Sequence, residues 1–351
     1  MSKFWSPRVR ELTPYIPGEQ PRERLIKLNT NENPYPPAPG VGAVLRDYPT
    51  DHLRLYPDPE SRALRQALAR EFGVEVEQVF VGNGSDEVLA LAFQAFFCQQ
   101  RPLEMPETTY SFYPVYCSLF GIERRALPLT ADHEVDLAAF TAESGGTIFA
   151  NPNAPTGHGH GRDAIAELLG RVTDSVVLVD EAYVDFGGES ATPLVASFPN
   201  LLVTGTFSKS RSLAGLRLGY AVGSRELIEG LSRVKDSFNS YPVDSLASAV
   251  AIAALEDHAH FEASREKVIT TRERARTQME KLGFRVLPSQ ANFVLVTHPD
   301  HDAAQLFAGL RERGILVRHF NTATLRDFLR ITIGTDDEME SLVETLETLC
   351  G

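Results

Sequence analysis

The sequence predicts an α/β fold with a mostly parallel sheet, followed by a smaller α+β domain. From about residue 60, short and continuously apolar runs alternate with helical patterns, and this alternation changes near residue 240. Continuously apolar runs are typical of strands that are buried on both faces of a parallel sheet. Strands that alternate with helices indicate β-α-β units, which build such a sheet.

The elements of the first domain follow from these patterns in chain order. Helices are predicted at 61–72, 87–97 and 163–171, where apolar residues recur at helical spacing. Strands are predicted at the short apolar runs 79–81, 147–150, 176–179, 201–204 and 220–222.

The second domain begins with a largely helical stretch at 244–282, with a break near 258–260. Shorter elements follow it, namely strands at 293–296, 315–317 and 329–332, a helix at 302–313 and a last helix from Asp336. A long helix followed by this β-α-β-β-α order indicates an α+β domain.

We expect the chain to divide into three parts. Residues 1–40 are rich in proline and lack periodicity, so they predict an ordered arm or a linker, and such a segment needs another surface to pack on. The predicted bounds are 1–45 for an arm that packs with the small domain, 46–238 for the large domain and 239–351 for the small domain.

Composition narrows the class of partner. A net charge of −13 argues against nucleic acid or an anionic membrane as the main partner, although it allows small anionic substrates. The three cysteines form no motif, which favours a reducing, cytoplasmic setting. We also expect no signal peptide and no membrane span, because no apolar stretch has the required length.

The most informative segment is 206–220. Lys209 lies among hydroxyl residues just after the apolar run 201–204, and Arg217 follows in the same segment. A lysine amine can condense with an aldehyde, and hydroxyls with a guanidinium can bind a phosphate. Pyridoxal 5'-phosphate has both groups, so the segment predicts that cofactor.

Other candidate residues follow predicted strands, where an open α/β sheet binds its ligands. The segment 82–86, Gly-Asn-Gly-Ser-Asp, opens a helix and could hold an anion on free N–H groups. Ser85 could equally be a simple helix cap. Asp180 could keep a pyridine nitrogen protonated and Tyr183 could donate to the ring oxygen, while Glu181 should point to the other side of the strand. Taken alone, Asp180 is better explained as a cap.

The order of these segments resembles that of the fold-type I pyridoxal-phosphate-dependent aminotransferases over nearly the whole chain. The resemblance implies a seven-stranded sheet, a covalent bond from Lys209 to the cofactor aldehyde, and ring contacts from Asp180 and Tyr183. It implies that Tyr110 stacks on the ring and that Asp86 also binds the cofactor. The residues implied to bind the phosphate are Gly84, Ser85, Thr206, Ser208 and Arg217.

The resemblance also bears on assembly and on one departure from the family. Tyr56, within Leu-Tyr-Pro-Asp, matches a family tyrosine that reaches the phosphate of the neighbouring subunit's cofactor, which implies a homodimer with shared active sites.

The family usually reads Asn-Pro-Thr-Gly, and that asparagine contacts the ring hydroxyl. Here the position is Ala154, so either Asn153 takes over the contact or Tyr183 makes it alone; we favour Asn153.

Two arginines of the small domain are candidates for substrate binding. The resemblance implies that Arg330 binds the carboxylate of the amino donor, and Arg318 suits a substrate phosphate. Without the earlier motifs, each would be explained as a solvated charge on an edge strand. Within the family, the segments 28–35, 109–116, 290–293 and 314–318 resemble the histidinol-phosphate aminotransferase branch.

That branch implies transfer of an amino group from L-histidinol phosphate to 2-oxoglutarate in histidine biosynthesis, with Tyr15, Asn31 and Glu32 lining the substrate pocket. Aromatic aminotransferases and threonine-phosphate decarboxylases share most of the motifs and remain alternatives. A pyridoxal-phosphate-binding regulator is a third hypothesis, disfavoured because the chain shows no DNA-binding segment.

His158 and His160 indicate a loop rather than a metal site, and we predict no metal from the sequence.

Overall fold

A computed structural model describes residues 3–351. That range contains the strands β1 Ile26–Lys27, β2 Val79–Asn83, β3 Leu103–Pro106, β4 Arg124–Leu127, β5 Gly146–Ala150, β6 Val177–Asp180, β7 Leu201–Thr206, β8 Leu218–Gly223, β9 Arg285–Val286, β10 Phe293–Thr297, β11 Ile315–Leu316, β12 Arg318–His319 and β13 Leu329–Thr332. Its helices are α1 Pro7–Glu11, α2 Pro39–Asp47, α3 Arg62–Phe72, α4 Gly84–Ala92, α5 Tyr113–Phe120, α6 Arg162–Arg171, α7 Arg225–Phe238, α8 Ser245–Glu256, α9 His258–Lys281, α10 Ala303–Glu312 and α11 Asp336–Cys350.

The central sheet has seven strands in the order β2-β8-β7-β6-β5-β3-β4. Strand β8 runs antiparallel to both of its neighbours, and the other six strands are parallel to one another. Every residue of β5, β6 and β7 is buried, as continuously apolar runs require. The predicted α/β fold with a mostly parallel sheet is confirmed.

Two strands at one edge of this sheet, β3 and β4, were not predicted from the sequence. Strand β3 carries Glu104, whose fully buried carboxylate accepts hydrogen bonds of 2.8 Å from both the backbone N–H and the hydroxyl of Thr141. The same carboxylate pairs with Arg125 of β4, a strand that is largely exposed. A buried acid and an exposed edge strand do not produce the apolar pattern from which strands are predicted.

The second sheet is antiparallel, in the order β12-β13-β10-β9, and shares a core with α9, α10 and α11. Strand β1 pairs in parallel with β11, which connects the N-terminal region to this part of the chain. Helix α8 instead packs on α2 and α3. The division of the chain at 45/46 and 238/239 stays a prediction.

Two local expectations are refined. The helix expected at 87–97 begins at Gly84, because the Glu87 carboxylate accepts the Asn83 N–H at 2.6 Å, and its last turn, Phe93–Phe97, is π-helical. The break in the long helical stretch lies at Asp257, whose side chain accepts the His260 N–H and starts α9.

No helix within residues 3–351 is both long enough and apolar enough to cross a membrane.

Candidate active site

A cavity of about 400 Å³ lies where the carboxyl ends of the central strands meet the N-terminal segment and the second sheet. Most of the residues predicted from the sequence line it: Tyr15, Asn31, Glu32, Ser85, Asp86, Tyr110, Asp180, Tyr183, Thr206, Ser208, Lys209, Arg217, Arg318 and Arg330. Ligands of open α/β sheets bind at this edge, because the turns after adjacent parallel strands converge there.

Lys209 lies in the loop after β7 and is held by the N-terminal segment. Its Nζ atom is 3.3 Å from the Thr30 carbonyl oxygen and 5.6 Å from the centre of the Tyr183 ring. The Asn33 side-chain amide donates to the carbonyl oxygens of Lys209 and Ser210. These contacts keep the lysine amine inside the cavity.

Asp180 ends strand β6 and is buried. The Tyr113 hydroxyl donates to its Oδ2 atom at 2.7 Å, and the Ala182 N–H donates to Oδ1 at 3.3 Å. Burial raises the pKa of Asp180 to about 6 despite these hydrogen bonds. A cation placed against this carboxylate would stabilise its charged form. Sequence analysis did not single out Tyr113, whose only signal is its place three residues after Tyr110.

Glu181 points to the opposite side of β6, as the alternation of a strand requires. Its carboxylate accepts hydrogen bonds from the Ser190 hydroxyl at 2.6 Å and the Ala191 N–H at 2.5 Å. Burial raises the pKa of Glu181 to about 8. The carboxyl group of Asp180 therefore lines the cavity, whereas that of Glu181 lies in the protein interior.

Tyr183 is supported by Asn31, whose side-chain amide donates to the tyrosine hydroxyl at 3.0 Å. The Thr332 hydroxyl donates to the amide oxygen of Asn31, and Asn292 donates to its backbone carbonyl. Asn31 lines the cavity and its amide is engaged by Tyr183 and Thr332, while its expected contact with substrate stays a prediction. Because the Tyr183 oxygen accepts from Asn31, its own proton is free for a partner in the cavity.

Gly84, the first N–H groups of α4 and Arg217 together form a concave site for an anion, which we call the Gly84 cradle. Gly84 has φ +81°, and a Cβ atom there would lie 2.6 Å from Nη2 of Arg217. Asn83 makes no side-chain cap, so the first N–H groups of α4 are available to a ligand. Asp86 orients the cradle, accepting from Arg217 at 3.0 Å and from the Tyr110 hydroxyl at 2.9 Å.

Gly84, Asn153 and Tyr56 are the predicted residues that do not line the cavity. Gly84 contributes by leaving room for Arg217. The Asn153 amide is buried and donates to the Thr108 carbonyl and the Thr156 hydroxyl, both at 3.0 Å. It has no donor left for a ring oxygen, and Ala154 forms the cavity wall instead. This geometry favours Tyr183 over Asn153 for that contact, and the choice between them stays a prediction.

Tyr56 lies outside the cavity, with 82% of its surface exposed. Its ring stacks on Tyr241, with 4.8 Å between ring centres. Its expected contact with a neighbouring subunit stays a prediction.

Arg318 and Arg330 occupy directly opposite positions on β12 and β13. Both line the cavity, and neither is ion-paired with a carboxylate anywhere in residues 3–351. Nε of Arg330 is buried without a hydrogen-bond partner, and burial lowers the pKa of this guanidinium. Like charges opposite each other destabilise a strand pair, so this end of the cavity is suited to a multiply charged anion.

Two further predicted residues, Tyr15 and Glu32, line the same cavity. The Tyr15 ring packs on Phe112, with 4.9 Å between ring centres. Burial works to raise the pKa of Glu32, but the hydrogen bond and charge of Lys27 outweigh it and lower the pKa. Glu32 therefore remains an acceptor at neutral pH.

Comparison with known proteins agrees with this geometry. The family model described as aminotransferase class I and II matches residues 23–346. The histidinol-phosphate aminotransferase of Chromohalobacter salexigens is 71% identical over 350 residues and covers 100% of both chains. Histidinol-phosphate aminotransferase 1 of Bordetella parapertussis is 56% identical over 99% of both. The solved structure of histidinol-phosphate aminotransferase from Sinorhizobium meliloti, in complex with pyridoxal-5'-phosphate, has a TM-score of 0.90 at 26% identity, covering 100% of this chain and 98% of that one.

Proposed function

The chain belongs to the class I and II aminotransferase family, and on this premise we propose that it transfers the amino group of L-histidinol phosphate to 2-oxoglutarate. The products are imidazole-acetol phosphate and L-glutamate, and the reaction is a step of histidine biosynthesis. The relatives with the same activity in their names match the chain from end to end.

The observation that carries the substrate assignment is the pair Arg318 and Arg330 in the same cavity as Lys209. One arginine satisfies an α-carboxylate, whereas two unpaired guanidinium groups suit the double charge of a phosphate. Histidinol phosphate carries a phosphate and no carboxylate, while glutamate and 2-oxoglutarate carry carboxylates. The pair can therefore serve both halves of the reaction.

The residues at the strand ends fit pyridoxal 5'-phosphate. The Gly84 cradle, with Ser85, Ser208 and Arg217, would hold the phosphate, and Asp180 would face the ring nitrogen. When bound through Lys209, this group supplies a conjugated ring that takes up the electron pair left by a broken Cα–H bond.

The chain's own groups then control protons and charge. Tyr113 donates to Asp180 and stabilises the carboxylate that keeps a ring nitrogen protonated. Tyr183 directs its proton into the cavity because Asn31 occupies its oxygen. Lys209, whose amine would be freed when the substrate amine takes its place, would then remove the proton from the substrate's α-carbon, as a general base placed within reach.

Product analysis with purified enzyme tests the substrate. Equimolar formation of imidazole-acetol phosphate and glutamate from L-histidinol phosphate and 2-oxoglutarate is expected. L-Histidinol, which lacks the phosphate, is the matched control and should react far more slowly. Higher kcat/KM with phenylalanine or tyrosine would make the enzyme an aromatic aminotransferase, and release of CO₂ from threonine phosphate would make it a decarboxylase. Failure of every amine to react would favour a binding protein without catalysis.

We further propose a cytoplasmic homodimer in which Tyr56 of one subunit completes the site of the other. The exposure of Tyr56 and of nearby Leu53 and Leu55 supports this assembly. Mixing Tyr56→Ala with Lys209→Ala under subunit exchange should restore activity, because one site of the mixed dimer then has both residues. No restored activity, with exchange shown by mass spectrometry, would place Tyr56 outside the neighbouring site.

A further inference from the structure

A second cluster of chemically competent side chains lies in the C-terminal part of the chain. His298, His301 and Cys350 each present one ligand atom, and the three atoms all lie within 4.8 Å of one another. None of these residues lines the cavity of the candidate active site. All three are half-buried, so an ion can reach them from solvent. We infer that these side chains form a zinc site that is separate from the aminotransferase centre.

The donor set selects the class of metal. Two imidazoles and one thiolate are ligands of Zn²⁺, whereas Mg²⁺ and Ca²⁺ take oxygen ligands. Three protein ligands leave the fourth tetrahedral position to water. Asp300 and Asp302 flank His301 in the sequence, and their charges favour a cation near the histidines.

The Nε2 side of His298 already makes the contact that a metal-bound histidine usually makes. Its Nε2 atom lies 3.1 Å from the Leu282 carbonyl oxygen, which assigns the ring proton to Nε2 and leaves the lone pair on Nδ1. Metal-bound histidines usually donate their second N–H to such a carbonyl. Nδ1 now accepts the Asp300 N–H at 3.1 Å, a bond that zinc would replace. Gly283 makes this approach possible, since a Cβ atom there would lie 2.8 Å from Nε2.

The three ligands stand on anchored elements. His298 directly follows β10, His301 precedes the capped start of α10, and Cys350 is the last residue of α11. Helices α10 and α11 pack closely at this end, because a Cβ atom on Gly309 would lie 2.8 Å from Leu349. Zinc would therefore join the end of α11 to the loop before α10 and stabilise this half of the chain.

Calorimetric titration of the untagged, full-length holoenzyme with ZnCl₂, after dialysis against a chelator, tests the site. Saturable binding of one ion per chain is expected, weakened at least tenfold in Cys350→Ser and in His301→Ala. His158→Ala is the matched control, because His158 pairs with Glu134 at 2.9 Å and lies outside the cluster. Aminotransferase activity without zinc should be equal in all three variants and the wild type.

Substitution with Co²⁺ gives a second measurement that needs no comparison of stability. The wild type should show a thiolate-to-cobalt charge-transfer band and the strong visible bands of tetrahedral cobalt, and Cys350→Ser should lose the charge-transfer band. Absence of saturable zinc binding by the wild type would overturn the inference. So would unchanged binding in Cys350→Ser, or a cobalt spectrum without a thiolate band.

Discussion

The side-chain amide of Asn31 donates a 3.0 Å hydrogen bond to the hydroxyl of Tyr183, so two residues 152 positions apart act as one unit. Both side chains are buried, and Thr332 holds the amide of Asn31 in this orientation. The direction of the bond matters, because a tyrosine oxygen that accepts here keeps its proton for the cavity.

Reversing that bond should impair catalysis. Asn31→Asp offers an acceptor where the wild type offers a donor, so the Tyr183 proton should turn away from the cavity. We expect kcat to fall about tenfold to a hundredfold, the equivalent of one lost hydrogen bond to a charged group. The absorption spectrum of the bound cofactor should shift as well. In a Tyr183→Phe background the same substitution should add little, and full additivity of the two effects would show that the residues act independently.

Replacing the proposed nucleophile should abolish turnover without unfolding the chain. Lys209→Ala should lower kcat by about 10⁴-fold or more, because the general base and the covalent attachment are lost together. Steady-state assays and circular dichroism measure the two properties. Lys267→Ala is the control, since Lys267 does not line the cavity. Normal steady-state activity in Lys209→Ala would remove this lysine from the mechanism.

Substitution of the two opposed arginines should distinguish binding of the substrate phosphate from binding of the substrate carboxylate. Arg318→Gln should raise the KM for L-histidinol phosphate by about tenfold to a hundredfold, the typical loss of one charge-assisted contact. Reaction with unphosphorylated L-histidinol should change little. Arg330→Gln should also raise the KM for 2-oxoglutarate. Equal effects of Arg318→Gln on phosphorylated and unphosphorylated donors would contradict phosphate binding at this position.

The Gly84 cradle should be intolerant of a side chain. Gly84→Ala puts a Cβ atom 2.6 Å from Arg217 in a strained backbone conformation, so the cofactor should dissociate about tenfold more readily or worse. Fluorescence titration of the apoenzyme with pyridoxal 5'-phosphate measures the change. Gly170→Ala in α6 is the matched control, because a Cβ atom there meets no atom within 4 Å. Equal affinities in both variants would rule out the cradle.

The buried Glu181 should make the chain less stable as the pH rises. Its pKa is raised from 4.5 to about 8 in the folded protein, so the native state binds more protons than the unfolded chain between these values. The contribution of Glu181 to stability is therefore greatest below about pH 4.5 and is lost as the pH rises toward about 8, by up to ~1.4 kcal/mol per pH unit. Glu181→Gln should flatten this dependence in urea unfolding series. Parallel curves for the two proteins would exclude Glu181 as the cause.

Much of the fold and site was predictable because both depend on local pattern. Apolar runs such as 201–204 must be buried, and the residues that follow them reach the same edge of a parallel sheet. Strand β3 was not predictable, since its buried Glu104 is neutralised by Arg125 from a separate strand. Tyr113 was missed for a related reason, because its contact with Asp180 exists only after α5 packs against β6.

The sequence by itself therefore determined the class of fold, the lysine loop and the strand-end residues, because burial and strand direction follow from local composition. Only the tertiary structure decided which side chains support one another. The hydrogen bond between Asn31 and Tyr183 results from packing between distant segments. The placement of Arg318 opposite Arg330 results from strand register. The local sequence pattern predicts neither relationship, because the atoms involved come close together only in the folded chain.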